Sequence, residues 1–95
     1  MKLIYSADAL EDLVRLRAFI AEHDPAAANR IGKALVARIE HLRLFPEMGR
    51  AVSLAPLLGK KIRDVIFGRY LVRYAVQDDT IMVLRIWHHF ENWKS

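Results

Sequence analysis

The sequence predicts an α+β fold in the order β-α-α-β-β-β, a helical hairpin packed on one face of a mostly antiparallel sheet. Three observations predict it. The first half carries two apolar stripes at helical spacing, broken at Asp24-Pro25. The last third carries three short runs of β-branched and aromatic residues, broken at Gly68 and at Gln77-Asp78-Asp79. A brief apolar run, Lys2 to Tyr5, ends at Ser6, a residue suited to starting a helix.

Each element follows from its residues. Lys2–Tyr5 reads as a short strand. Ser6 is an N-cap, and Asp8 and Glu11 lie near the positive end of the helix that follows. Leu10, Leu13, Leu16 and Ile20, widened by Val14 and Phe19, give that helix an apolar stripe from about Ala7 to about Glu22. Asp24 and Pro25 then supply the N-cap and first position of a second helix. Its stripe is Ile31, Leu35, Ile39, Leu42 and Phe45, while Ala26, Ala27, Ala28 and Ala34 permit close approach of a neighbour. Pro46 and Gly49 end it. Residues Ala51 to Gly59 read as a loop, followed by strands at Lys61–Phe67, Arg69–Val76 and Thr80–Trp87.

The bulk properties bound the function. The 95 residues form a single domain, 1–95, with one core. An apolar fraction of 54% supports a packed interior, and a net charge of +4 points to an anionic partner such as nucleic acid, a ribosome or an acidic protein. There is no cysteine, which excludes disulfides and thiolate metal sites. No signal-like leader or run of about 20 apolar residues is present, so the expectation is a cytoplasmic protein without a membrane span.

Strict alternation assigns faces to the last three strands. Tyr70, Val72, Tyr74 and Val76 face the helices, with Leu71, Arg73 and Ala75 opposite. In the last strand Met82, Leu84 and Ile86 face inward, and Ile81, Val83, Arg85 and Trp87 outward. In the first of the three, Ile62 and Ile66 face inward, leaving Arg63, Val65 and Phe67 outside. Arg63, Arg73 and Arg85 then share an open, partly apolar face, a combination that fits a bound protein segment better than bare phosphate. The same parity turns Asp64 inward, which requires a bulge or an arginine partner.

Several short motifs occur in a familiar order. Ser6, Ala9, Asp12 and Leu13 form a Ser-x-x-Ala-x-x-Asp-Leu start, followed by Asp-Pro-Ala-Ala-Ala at 24–28. Phe45-Pro46-x-x-Gly49-Arg50, Lys61-Ile62-Arg63, Tyr70-x-x-x-Tyr74 and Leu84-Arg85-Ile86-Trp87-His88 complete the set. Together they resemble the ParE branch of the RelE/ParE toxin superfamily, the toxins of type II toxin–antitoxin pairs, over nearly the whole chain. The resemblance implies a RelE/ParE-like fold and a growth inhibitor held in a hetero-oligomer by a cognate antitoxin. DNA gyrase is the target it implies for ParE relatives, and mRNA in the ribosomal A site for RelE relatives. A non-toxic, antitoxin-bound scaffold or co-repressor is a third reading.

The binding surface, for target or antitoxin, is expected at Lys60, Lys61, Arg63, Phe67, Leu71, Arg73, Arg85 and Trp87. His88, with Arg73 and Arg85, is the candidate catalytic set, because His88 matches the position where some ribosome-dependent members carry a general acid. Its plainer reading is a partly buried histidine satisfied by a carbonyl or a tyrosine. The chain departs from the nuclease pattern in having Leu71 where an arginine is common, and no acidic residue across Ala51–Lys61 to act as base. It departs from many ParE relatives in reading His88-His89-Phe90 rather than His-Gly-Arg. His23, Asp24, Glu40 and His41 match no metal motif, and neither metal nor cofactor is expected.

Overall fold

Ser6 ends the first strand and starts the first helix. Its hydroxyl accepts the Ala9 amide at 3.0 Å, as an N-cap should, and donates to the carbonyl of distant Leu84 at 2.9 Å. The computed structural model describes residues 1–52 and 61–88. Strand β1 (Lys2–Tyr5) leads into α1 (Ala7–His23) and α2 (Pro25–Glu40), then β2 (Arg50–Ala51), β3 (Lys61–Phe67), β4 (Tyr70–Gln77) and β5 (Thr80–His88). The two-residue β2 joins the expected order, and the rest of the predicted loop, 53–59, lies outside the described residues. The sheet order is β1-β5-β4-β3-β2; β1 runs parallel to β5 and every other pairing is antiparallel. No described helix is long and apolar enough to cross a membrane.

One residue joins the helices. The Asp24 amide bonds to the Ile20 carbonyl and closes α1, while its carboxylate accepts the Ala27 amide at 3.1 Å and opens α2. The stripe of α2 predicts a helix through Phe45. Instead α2 stops at Glu40, a 3-10 turn covers His41–Arg43, and Phe45 is exposed. The chain is drawn back here by Tyr74, whose hydroxyl donates to the Pro46 carbonyl at 2.8 Å and accepts the Gly49 amide at 2.9 Å. A Cβ on Gly49 would sit 2.8 Å from both that hydroxyl and the Asp64 carbonyl, so this approach requires glycine.

The core lies between the helices and the sheet, with Leu16, Leu35, Ile39, Leu42, Val65, Phe67, Val72, Tyr74, Ile81, Val83 and Ile86 at its centre. Four assignments from strict alternation are corrected. Ile81 and Val83 are buried, because Leu84 is an extra residue: Tyr74 pairs with Val83 but Arg73 pairs with Arg85. That bulge reverses the parity of β5 at Leu84. Val65 is buried opposite Val72, and Ile66, expected inside, is 70% exposed. In α1 the buried positions are Ala9, Asp12 and Leu16, so Leu10 and Val14 are exposed.

A carboxylate faces inward on α1 because β1 is too short for β5. The β1 pairing ends at Tyr5 and Val83, leaving Leu84 to His88 with no strand partner on that edge among the described residues. Side chains of the helix start take its place. Ser6 bonds to the Leu84 carbonyl, Asp12 Oδ2 accepts the Ile86 amide at 2.8 Å, and Arg15 donates to the Ile86 carbonyl at 3.1 Å. Burial works to raise the Asp12 carboxyl pKa. Hydrogen bonds from Arg85, the Ile86 amide and Arg15 outweigh it, and the group is held below its ordinary value.

Two stability predictions follow from this packing. Leu35→Ala should lower the unfolding free energy by about 2–5 kcal/mol in chemical denaturation, and an unchanged midpoint would contradict its place in the core. Asp12→Ala should cost about 3 kcal/mol, since it strands the Ile86 amide and unpairs Arg85. The sign with pH follows from the lowered carboxyl. Its contribution is fully present above the unfolded pKa, about 3.9, and fades as pH falls through the folded value. Thermal melts from pH 7 downward should therefore show the wild type losing its advantage over Asp12→Ala in acid.

Candidate binding face

The Leu84 bulge aligns two rows of side chains on the sheet face turned away from the core. One row is Asp64, Arg73 and Arg85, and beside it runs Ile66, Leu71 and Trp87. Arg73 forks onto Asp64, with Nε to Oδ1 at 2.8 Å and Nη2 to Oδ2 at 3.0 Å. Arg85 forks onto Asp12 across the sheet edge, at 2.8 Å from Nε and 3.2 Å from Nη2. Both guanidinium carbons lie against the ring of Trp87, at 5.2 Å and 5.0 Å. The result is a flat aromatic flanked by two oriented forks, each tied at its far side to a carboxylate.

The electrostatics follow from those pairs. The hydrogen bond to Asp64 raises the Arg73 guanidinium further above its ordinary pKa, against burial and the nearby Arg85. Asp12 does the same for Arg85. Both arginines stay charged at any physiological pH. Two carboxylates offset two guanidiniums, so the face is less cationic than its arginines alone imply. Bidentate pairs of this kind fix side-chain orientation, which suits shaped contact with a protein surface more than diffuse attraction to phosphate.

Several expected residues lie elsewhere. Arg63 stands opposite Tyr74, on the helix side, and donates to the Gly49 carbonyl at 2.7 Å, so of the three arginines expected on the open face only Arg73 and Arg85 are there, while Arg50, opposite Asp64, joins the same row from β2. Phe67 is buried in the core beneath Arg38, whose guanidinium carbon is 5.0 Å from its ring. Both corrections have one cause: β3 pairs with β4 one residue out of phase with the assumed alternation. Leu71, Arg73, Arg85 and Trp87 are brought together as expected, and Lys61 is exposed at the start of β3. Lys60 and the tail beginning His89-Phe90 lie outside the described residues.

The catalytic candidates are not brought together. Arg73 and Arg85 are on the open face, while His88 pairs with Tyr70 on the helix side and is only 7% exposed. Its ring packs 5.2 Å from Tyr70, edge-on, and 5.1 Å from Phe19. Asp12, Asp64 and Ile66 were missed as members of the face. Asp12 left a trace, since a carboxylate between Ala9 and Leu16 stands in phase with the buried side of α1. Ile66 left none, because nothing local sets the register of β3.

This architecture has clear relatives. Residues 3–93 match the family model of the ParE toxin of the type II toxin–antitoxin system parDE. The chain is 34% identical over 93 residues to Toxin RelE1 of Caulobacter vibrioides, covering 94% of each chain. Among solved structures it is similar to the chromosomal ParDE toxin–antitoxin system from P. aeruginosa, with TM-score 0.75, 20% identity and coverage of 93% and 95%. It also resembles the archaeal RelE–RelB complex from Pyrococcus horikoshii OT3, with TM-score 0.55, 17% identity and coverage of 95% and 96%. The chain therefore belongs to the ParE toxin family of type II toxin–antitoxin systems.

Proposed function

We propose that this ParE-family toxin stops growth by binding rather than by cleavage, acting in the cytoplasm on DNA gyrase and held inactive by a cognate antitoxin. One observation carries the reading. Arg73 and Arg85 flank Trp87 on the open face, while His88, the candidate general acid, is buried on the other side of the sheet. A proton donor for a leaving oxygen must come within about 3 Å of it, or act through one water. A phosphate held by the two arginines is out of reach of an acid behind the sheet. The oriented forks, Trp87, Leu71 and exposed Ile66 instead make a mixed apolar and charged patch of the kind protein partners cover.

The second reading, a ribosome-dependent mRNA endonuclease, is favoured by the name of the relative from Caulobacter vibrioides, Toxin RelE1. Arg73 and Arg85 would then stabilise charge on the reacting phosphate.

Induction of the toxin alone, followed by supercoiling assays and mRNA-cleavage assays in translating extracts, separates the two. Loss of supercoiling with intact mRNA is the expected result; cleaved mRNA with normal supercoiling would overturn it, and normal growth on strong induction would favour a non-toxic scaffold. Arg73→Glu and Trp87→Ala should each reduce toxicity about tenfold or more, the loss typical of a central interface residue. Their far-UV spectra should remain near wild type. Toxicity retained in both would remove this face from the mechanism.

A further inference from the structure

The charged row crosses the whole sheet. It runs from Arg50 on β2 through Asp64, Arg73 and Arg85 on β3, β4 and β5, and ends on Asp12 of α1. Its two carboxylates are both engaged. Asp64 offers its two oxygens to Nε and Nη2 of Arg73, and Asp12 receives the fork of Arg85. Arg50 stands opposite Asp64 in the backbone register, on the same face. Its side chain is nevertheless exposed, and it forms no hydrogen bond or ion pair among the described residues.

The backbone on both sides of that free side chain is fixed. The Gly49 amide donates to the Tyr74 hydroxyl at 2.9 Å, and the Gly49 carbonyl accepts from Arg63 at 2.7 Å. The Val52 amide donates to the Ile62 carbonyl at 2.9 Å. A guanidinium with all five donors unused therefore rises from a rigid base, and only the side chain itself has to order when it meets an anion. The face is polar as a result. Arg73 and Arg85 are offset by their carboxylates around Trp87, and the uncompensated charge sits at the β2 end. Three strand spacings, about 14 Å, separate Arg50 from Arg85, and Trp87 lies one row further on.

Given the reading of this face as the target-binding surface, we infer that Arg50 is its specificity-determining residue. It recognises an aspartate or glutamate carboxylate of the target protein, about 15 Å from the apolar group that rests on Trp87. Those two points set the direction in which the target lies across the strands. Arg73 and Arg85 do not compete for that carboxylate, because each already holds one of its own. A nucleic-acid backbone suits the row less well, since it is drawn to a series of free cations and this row offers one.

The test scores toxicity on induction for Arg50→Glu, Arg50→Gln and Arg50→Lys beside Trp87→Ala. Arg50→Glu should lower toxicity about tenfold and Arg50→Gln by less. Arg50→Lys should keep most of it, since a point charge there still attracts a carboxylate. Far-UV spectra should match wild type throughout. With purified DNA gyrase, the half-inhibiting concentration of Arg50→Gln relative to wild type should fall toward one between about 50 and about 200 mM salt. The same ratio for Trp87→Ala should stay constant, because that variant has lost no charge; a merely structural role for Arg50 would give no such salt dependence. Full toxicity of Arg50→Glu, with toxicity lost in Trp87→Ala, would overturn the assignment and leave the face in place. Full toxicity in both would remove the face, and Arg50 with it. Loss of mRNA cleavage in Arg50→Glu, with supercoiling untouched even by the wild type, would make the anion a phosphate and overturn the choice of a carboxylate.

Discussion

The Asp12 carboxylate is the point on which the rest of the structure depends. Strand β1 has four residues and β5 has nine, so the β5 edge outlasts its neighbour. An unpaired edge inside a folded domain leaves amides without partners, and each costs free energy. Asp12 answers the Ile86 amide from a helix rather than a strand, with Ser6 and Arg15 serving the adjoining carbonyls. Because the carboxylate sits at the edge, its second oxygen also reaches Arg85 on the far face. Helix placement, sheet edge and surface charge are thereby linked through one group.

The Leu84 bulge has a comparable reach. Without the extra residue, Arg85 would follow the parity of Ile81 and Val83 and point into the core. With it, Arg85 comes out opposite Arg73, and both can lie against Trp87. The same residue turns His88 inward, between Phe19 and Tyr70. One irregularity thus builds the arginine face and withdraws the histidine from it. Bulges are common beside functional surfaces for this reason: they re-aim side chains without altering the strands on either side.

Two surfaces with different physics result. The open face is a set of oriented, carboxylate-tied guanidiniums around an aromatic ring, suited to shaped contact. The groove behind the sheet, between α2 and the β3–β4 turn, is apolar with a cationic rim of Arg30, Arg38 and Arg69. Their separation by the sheet means that contact at one does not by itself exclude contact at the other.

The chain's local chemistry determined its elements. Ser6, Asp24 and Pro25 set the helix starts, Gly68 and Asp78 take the positive φ that the two tight turns need, and the ordered motifs identified the family. Leu71, Arg73, Arg85 and Trp87 were legible as neighbours because all four lie on the same side of the Leu84 bulge, where the assumed alternation holds. Arg63, Phe67, Ile66, Ile81 and Val83 were not, since a one-residue offset in β3 inverts that strand and one extra residue in β5 inverts the side chains on one side of it. Neither offset has a local signature. Register is decided by which residues of distant strands bury together and by where α1 can supply Asp12 to an exposed edge, and only the tertiary structure brings those groups within reach.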